Sequence, residues 1–166
     1  MTLTLNSAPG SSVPNWQLIT SSAPTGVSTV TYSGLSGYSK YRILAPNLVP
    51  SGSAFFALRI NADSGANYNN VSTGIGSSPS VYYAANNSAT SFLISATTST
   101  TAQYFQIDID HALLLTPKFI SGTSYSTNNA VNTFGNYITT SAITSITLLT
   151  SANNFSTGTI YLLGAN

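Results

Sequence analysis

The stretch "YFQIDIDHA", Tyr104 to Ala112, decides how this chain is read. Phe105, Ile107 and Ile109 alternate with Tyr104, Gln106, Asp108 and Asp110, so apolar residues recur at every second position. That period belongs to a strand, whose side chains point alternately to opposite faces. The stretch also holds two of the three acidic residues, Asp108 and Asp110, and the one histidine, His111. It therefore poses the functional question as well: catalytic centre, metal site, or the outer face of a strand.

Working outward, the same period-two pattern recurs. In "AFFALRINA" it places Phe56, Leu58 and Ile60 inward and Phe55 and Arg59 outward. In "VSTVTYSGL", from Val27, Val30 and Tyr32 share one face and Thr29 and Thr31 the other. Trp16 to Thr20, "YSKYRILA", "SVYYAA", "TSFLISATT", "QYFQIDIDHALLL", a short "KFISGTSYST", "AITSITLLTS" and "GTIYLLGA" complete the set of expected strands. Turns between them are expected at Gly34, Gly37, Gly52, Gly65, Gly122 and Gly158, and at Pro46, Pro50 and Pro117. "NNSATS" and "SATTSTTA" read as loops. No window carries apolar residues at helical spacing with charged partners, and glutamate is absent. The expected fold is all-β: an antiparallel, jelly-roll-like β-sandwich of about eight to ten strands. Residues 1–15, with Pro9, Gly10 and Pro14, read as an extended N-terminal arm, with a disordered tail as the alternative. Residues 16–166 read as one sandwich domain.

Composition narrows the function. Charged residues make up 4% of the chain, where about 25% is usual. The net charge of +1 offers no basic face to neutralise a row of phosphates, so nucleic acid is not an expected partner. Surfaces near zero net charge tend to associate, which points to a chain that lies against other proteins. With 10 Tyr, 7 Phe and one Trp, disorder is not expected. Cysteine is absent, which removes disulfides, thiolate metal sites and thiol nucleophiles. The first sixteen residues show no basic region followed by an apolar run, so no signal peptide is read. The longest apolar runs, such as "ALLL" at Ala112 to Leu115, are too short for a membrane span. The N-x-S sequons at Asn70, Asn86 and Asn154 are expected by chance in so Asn- and Ser-rich a chain.

The chemistry-bearing residues are few. On a strand, Asp108 and Asp110 share a face with α-carbons about 6–7 Å apart. Calcium wants six to eight oxygens, and Asp63 is the one other carboxylate. A glycosidase needs two carboxyls in different environments, and these two share one. His111 and Asp110, adjacent on a strand, point to opposite faces, which disfavours a Ser-His-Asp arrangement. No catalytic residue, cofactor or metal is therefore expected. Lys40 and Arg42 show the same i, i+2 spacing as the two acids, and pairing of Lys40 and Arg42 with Asp108 and Asp110 is expected, within one chain or between subunits. "INADSGANYNN", Ile60 to Asn70, reads as an Asx-type turn with Gly65 at positive φ rather than half a cation loop. Among the tyrosines, Tyr82 and Tyr83 are the candidate surface contact, because an adjacent pair cannot place both rings in a core.

The order of several segments resembles a known group. "WQLI" at Trp16 is followed by "GLSGYSKYRI" from Gly34, by "NADSG" from Asn61, and by "GTIYLLG" from Gly158. This is similar to small virion proteins of tailed bacteriophages, β-sandwich domains of capsid exteriors, head fibres and tail-fibre tips. The resemblance spans nearly the whole chain in order, with little between about residues 75 and 130. It implies no catalytic residues. A receptor-binding fibre usually carries an anchor and a shaft, and neither coiled-coil heptads nor a collagen-like repeat occurs in this sequence. The expectation is therefore a capsid decoration or cement protein on the virion exterior, made in the host cytoplasm. Its partners would be the major capsid protein and itself, as a homotrimer, with no membrane and no nucleic acid. The alternative is a tail- or head-fibre protein that binds a glycan receptor.

Overall fold

The structure, a computed structural model, describes residues 15–76, 81–95, 100–127 and 129–166; the side chain of Tyr82 is outside that description. Residues 1–14 of the expected arm also lie outside the described residues.

Thirteen strands form among the described residues. They are β1 (Gln17–Ser22), β2 (Thr29–Ser33), β3 (Lys40–Pro50), β4 (Phe56–Ile60), β5 (Tyr68–Ile75), β6 (Val81–Ala89) and β7 (Phe92–Leu93). Then come β8 (Gln103–Asp110), β9 (Lys118–Ser126), β10 (Asn129–Tyr137), β11 (Ser145–Thr150), β12 (Phe155–Thr157) and β13 (Ile160–Ala165). A large antiparallel sheet runs β1-β13-β3-β8-β9-β10-β5-β6, with β12 added to β3. A small one runs β2-β11-β4-β7. The chain passes repeatedly between the two, which pack as an antiparallel β-sandwich.

Alternation explains the core. Phe105, Ile107 and Ile109 of β8 are buried, with Tyr41 and Ile43 of β3 and Leu162 of β13 beside them. Phe56, Leu58 and Ile60 of β4 and Ile146 and Leu148 of β11 close over them from the small sheet. Phe56 stacks on Phe155 at 5.7 Å and tilts against Phe105 at the same separation. Each such side chain contributes about 1.5–3 kcal/mol of burial energy.

The strand count exceeds the expected eight to ten because β5, β10 and β12 carry little hydrophobic signal. The inner faces of β5 and β10 include Asn70, Ser72 and Thr133, all buried. Ser72 and Thr133 satisfy each other, hydroxyl to hydroxyl, at 3.1 Å. Thr133 and Ser124 also donate to the Ile94 carbonyl, at 3.4 and 3.2 Å. Polar pairs thus replace apolar residues where the short β7 covers the large sheet.

Other boundaries shift for identifiable reasons. Pro46 and Pro50 lie within β3 rather than in turns. The ladder to β8 slips between Ala45 and Leu48, so the pairing skips Pro46, whose ring nitrogen carries no N–H. Gly122 sits in mid-β9, where a Cβ would lie 2.2 Å from Ile107 Cδ1 and 2.6 Å from the Gln106 carbonyl. That strand is nine residues long rather than short. Asn86 to Ala89, expected in a loop, belong to β6, while "TSFLISATT" supplies only the two residues of β7. Residues 96–98 of its end, and 99 of the expected "SATTSTTA" loop, lie outside the described residues. β8 stops at Asp110 because His111 turns to φ +63°.

Candidate functional site

The outer face of the large sheet gathers most of the expected site residues. Arg42 and Asp108 face each other directly across β3 and β8. Arg42 Nε donates to Asp108 Oδ1 at 2.5 Å and Nη2 donates to Oδ2 at 2.7 Å, a bidentate pair. The hydrogen bond to Asp108 raises the Arg42 pKa above the ordinary guanidinium value. The Trp16 ring covers the guanidinium at 4.3 Å. One rung further along, Lys40 Nζ lies 2.8 Å from Asp110 Oδ1. The four residues thus come together as two ion pairs within one chain. Both Asp108 oxygens are engaged by Arg42, and Oδ2 also accepts from Gln106 at 3.4 Å.

His111 is exposed beyond the end of β8. Asp63 sits in the β4–β5 loop, far along the chain from both. Its carboxylate accepts from Gly65 N at 2.7 Å, Asn67 Nδ2 at 2.8 Å and Tyr137 OH at 2.9 Å. Those bonds, the Gly65 one first, hold its pKa below the usual carboxylate value. The Asx-type turn is therefore present, with a correction: positive φ falls at Asn61 and Ala62, not at Gly65. Gly65 instead lets the chain close tightly, since a Cβ there would approach Asn67 Nδ2 to 2.9 Å. Among the described residues, no three or more of His, Cys, Asp and Glu are grouped to hold a metal ion.

Of the candidate contact pair, Tyr83 is 69% exposed on the sheet's outer face, opposite Thr73. Tyr82 lies opposite Gly74, and its side chain is outside the described residues.

Two features escaped sequence reasoning. The first is an aromatic ridge. Tyr104 of β8 and Tyr125 of β9 are directly opposed, and their rings stack at 4.7 Å with only 5° between planes. Beside both rings is an open hollow of about 380 Å³ that reaches toward β3 and β13, with Leu44, Pro46, Gln106, Thr123 and Tyr161 among its lining. Beyond Tyr125 is another of about 530 Å³, over Ile75, Ser126, Asn129 and Ala130. The i, i+2 spacing of Tyr104 and Gln106 hinted at a shared face, but only the β8–β9 register brings Tyr125 alongside.

The second feature is an apolar end. Past β8, Leu113, Leu114 and Leu115 are 43%, 52% and 75% exposed. Phe119, at the start of β9, and Ile138, just after the Tyr137 that pairs with Lys118, are exposed at the same end of the sheet. The leucine loop is held from within. Lys118 is fully buried, and its ammonium donates to the Leu114 carbonyl and, at 2.6 Å, to that of Thr116. Burial pushes the Lys118 pKa down. The backbone adds Ala112 N to Ser39 O at 2.8 Å and Ile143 N to Ala112 O at 2.9 Å.

No protein-family model matches the chain, and no curated protein matches it. A solved human SPRY domain is similar over 81% of this chain and 90% of its own length, at 15% identity and a TM-score of 0.26. A likeness that weak says nothing about function.

Proposed function

We propose that this protein is a non-enzymatic bacteriophage structural protein, a capsid decoration protein that binds the outside of the major capsid shell and stabilises it. The observation that carries the reading is the leucine end. A rigid loop presents three partly exposed leucines in water, anchored by a buried lysine that has no other task among the described residues. Burying the exposed parts of Leu113 to Leu115 against a partner would contribute on the order of 3–5 kcal/mol per molecule. A loop held in advance loses little further entropy on docking. A shell bridged in this way resists expansion, because separating its subunits would re-expose the apolar contact. The low charge of the chain supports a life packed against protein, and a homotrimer on the virion exterior remains part of the proposal.

The second reading, a tail- or head-fibre position with glycan binding, is favoured by the tyrosine ridge. Copy number separates the two. Quantitative mass spectrometry of purified virions should find hundreds of copies per particle for a shell position. A handful of copies would mean a fibre position, and absence from virions would sink both. Purified protein should also rebind shells lacking it, and Leu114→Asp with Leu115→Asp should abolish rebinding while leaving the fold unchanged by circular dichroism.

A further inference from the structure

We propose that the two hollows flanking the Tyr104–Tyr125 stack bind a neutral polysaccharide. This rests on the glycan-binding part of the second reading, to which it gives a seat and a chemical class, and it does not depend on shell docking. Stacking gives each ring one covered face and one free face; both rings line the first hollow, with Leu44 and Pro46, and Tyr125 also lines the second, with Ala130. Tyr125 is 56% exposed, so its outward face is accessible. Tyr161 adds a third ring at the far wall of the first hollow. Flat apolar ring faces are the surfaces on which the C–H faces of sugars stack.

The remaining lining has the matching polar chemistry. Gln106 and Thr123 stand in the first hollow, and Ser126 and Asn129 in the second. Neutral amides and hydroxyls both donate and accept, as the hydroxyls of a sugar do. A proline-rich peptide would fit the rings but offers carbonyl acceptors and few donors. No charged residue among the described ones lines either hollow. A uronic or sialic acid would lose hydration there without gaining a cation, which selects against acidic glycans. Charge complementarity therefore specifies a neutral chain. From Tyr161 on β13 to Ile75 on β5 the surface crosses five strand spacings, about 24 Å, enough for several sugar rings in line.

The test is affinity electrophoresis of the intact chain in gels cast with dextran, galactomannan, xylan or hydroxyethylcellulose, beside gels with alginate or polygalacturonate. Retardation is expected in at least one neutral gel and in neither acidic one. Tyr125→Ala should weaken it about tenfold, from one lost ring face. Phe119→Ala, at the opposite end of β9, should leave it unchanged. Thermal melts establish that both variants are folded, and Tyr161→Ala serves as the second ridge variant if Tyr125→Ala is not. Migration unaffected by all four neutral polymers overturns the proposal. So does retardation by the acidic polymers, retention of a polyproline peptide instead, or retardation indifferent to both tyrosine variants. The virion copy number and the shell-rebinding assay report on the other proposal independently.

Discussion

The two ion pairs on the outer face differ in burial, and burial should set their worth. In the Arg42–Asp108 pair the side chains are 24% and 28% exposed; in Lys40–Asp110 they are 42% and 29% exposed. Hydrogen bonds to charged groups contribute about 1.5–3 kcal/mol net when sheltered. With a quarter of each Arg42–Asp108 side chain open to solvent, about 1–2 kcal/mol is the expected coupling after allowance for screening. The lysine pair, half in water and single-pronged, should give about 0.2–0.5 kcal/mol. The experiment is a pair of double-mutant cycles, Arg42→Met with Asp108→Asn and Lys40→Met with Asp110→Asn. Unfolding in urea is followed by the fluorescence of Trp16, the chain's one tryptophan, whose ring lies against Arg42. In thermal melts each kcal/mol should appear as about 2–4 °C. Repeating the cycles in 1 M salt, where the Debye length is about 3 Å, should erase the lysine coupling and leave most of the arginine one. Equal couplings for the two pairs, or loss of both in salt, would refute the argument from burial.

Asp63 is held ionised by its loop, so its folded pKa lies below its unfolded one. Its stabilisation is present above the unfolded carboxylate range, about pH 4, and is lost as pH falls through the folded value. Asp63→Asn should therefore flatten the acid side of the stability–pH curve measured by urea midpoints. Gly122→Ala should cost about 1–3 kcal/mol, since the Gln106 carbonyl 2.6 Å from the new Cβ is backbone and cannot swing away; an unchanged urea midpoint would show that β9 can shift. Lys118→Met should loosen the leucine loop without dissolving the sandwich. Protection of the Leu114 amide, which donates to His111 O at 3.1 Å, should drop about tenfold in hydrogen exchange.

The sandwich was legible wherever one face of a strand is apolar. β8 is the clearest case, its alternation carried straight into burial. Legibility failed where the interior itself is polar. Nothing in "NAVNTFGNY" or "YNNVSTGI" separates a buried Thr133 or Ser72 from a loop residue. Their partners lie 61 positions apart and meet only after folding. The spacing match of Lys40 and Arg42 with Asp108 and Asp110 was readable because both pairs sit on strict strands. Which acid meets which base depends on register, a long-range property. The same limit hid the ridge: Tyr104 was visible as an outward residue, but Tyr125 stood out in no pattern, and their stacking needs the β8–β9 pairing. The leucine loop read as an extension of the strand, since "HALLL" looks apolar. The positive φ of His111, which turns it outward, has no signature in a histidine.

The ridge and the leucine end occupy opposite ends of the same two strands. Tyr104 is near the start of β8 and Leu113 lies beyond its end; Tyr125 closes β9 and Phe119 opens it. Six residues of strand from Tyr104 to Asp110 put about 20 Å between them. A molecule docked through its leucines would therefore hold its tyrosines away from the docking surface. The two proposed contacts need not compete; Lys40, Arg42, Asp108 and Asp110 pair with one another, while Lys118 holds the leucine loop through backbone carbonyls. Two rungs between β3 and β8 carry ion pairs, and the proposed contacts with the outside use apolar, aromatic and amide surface.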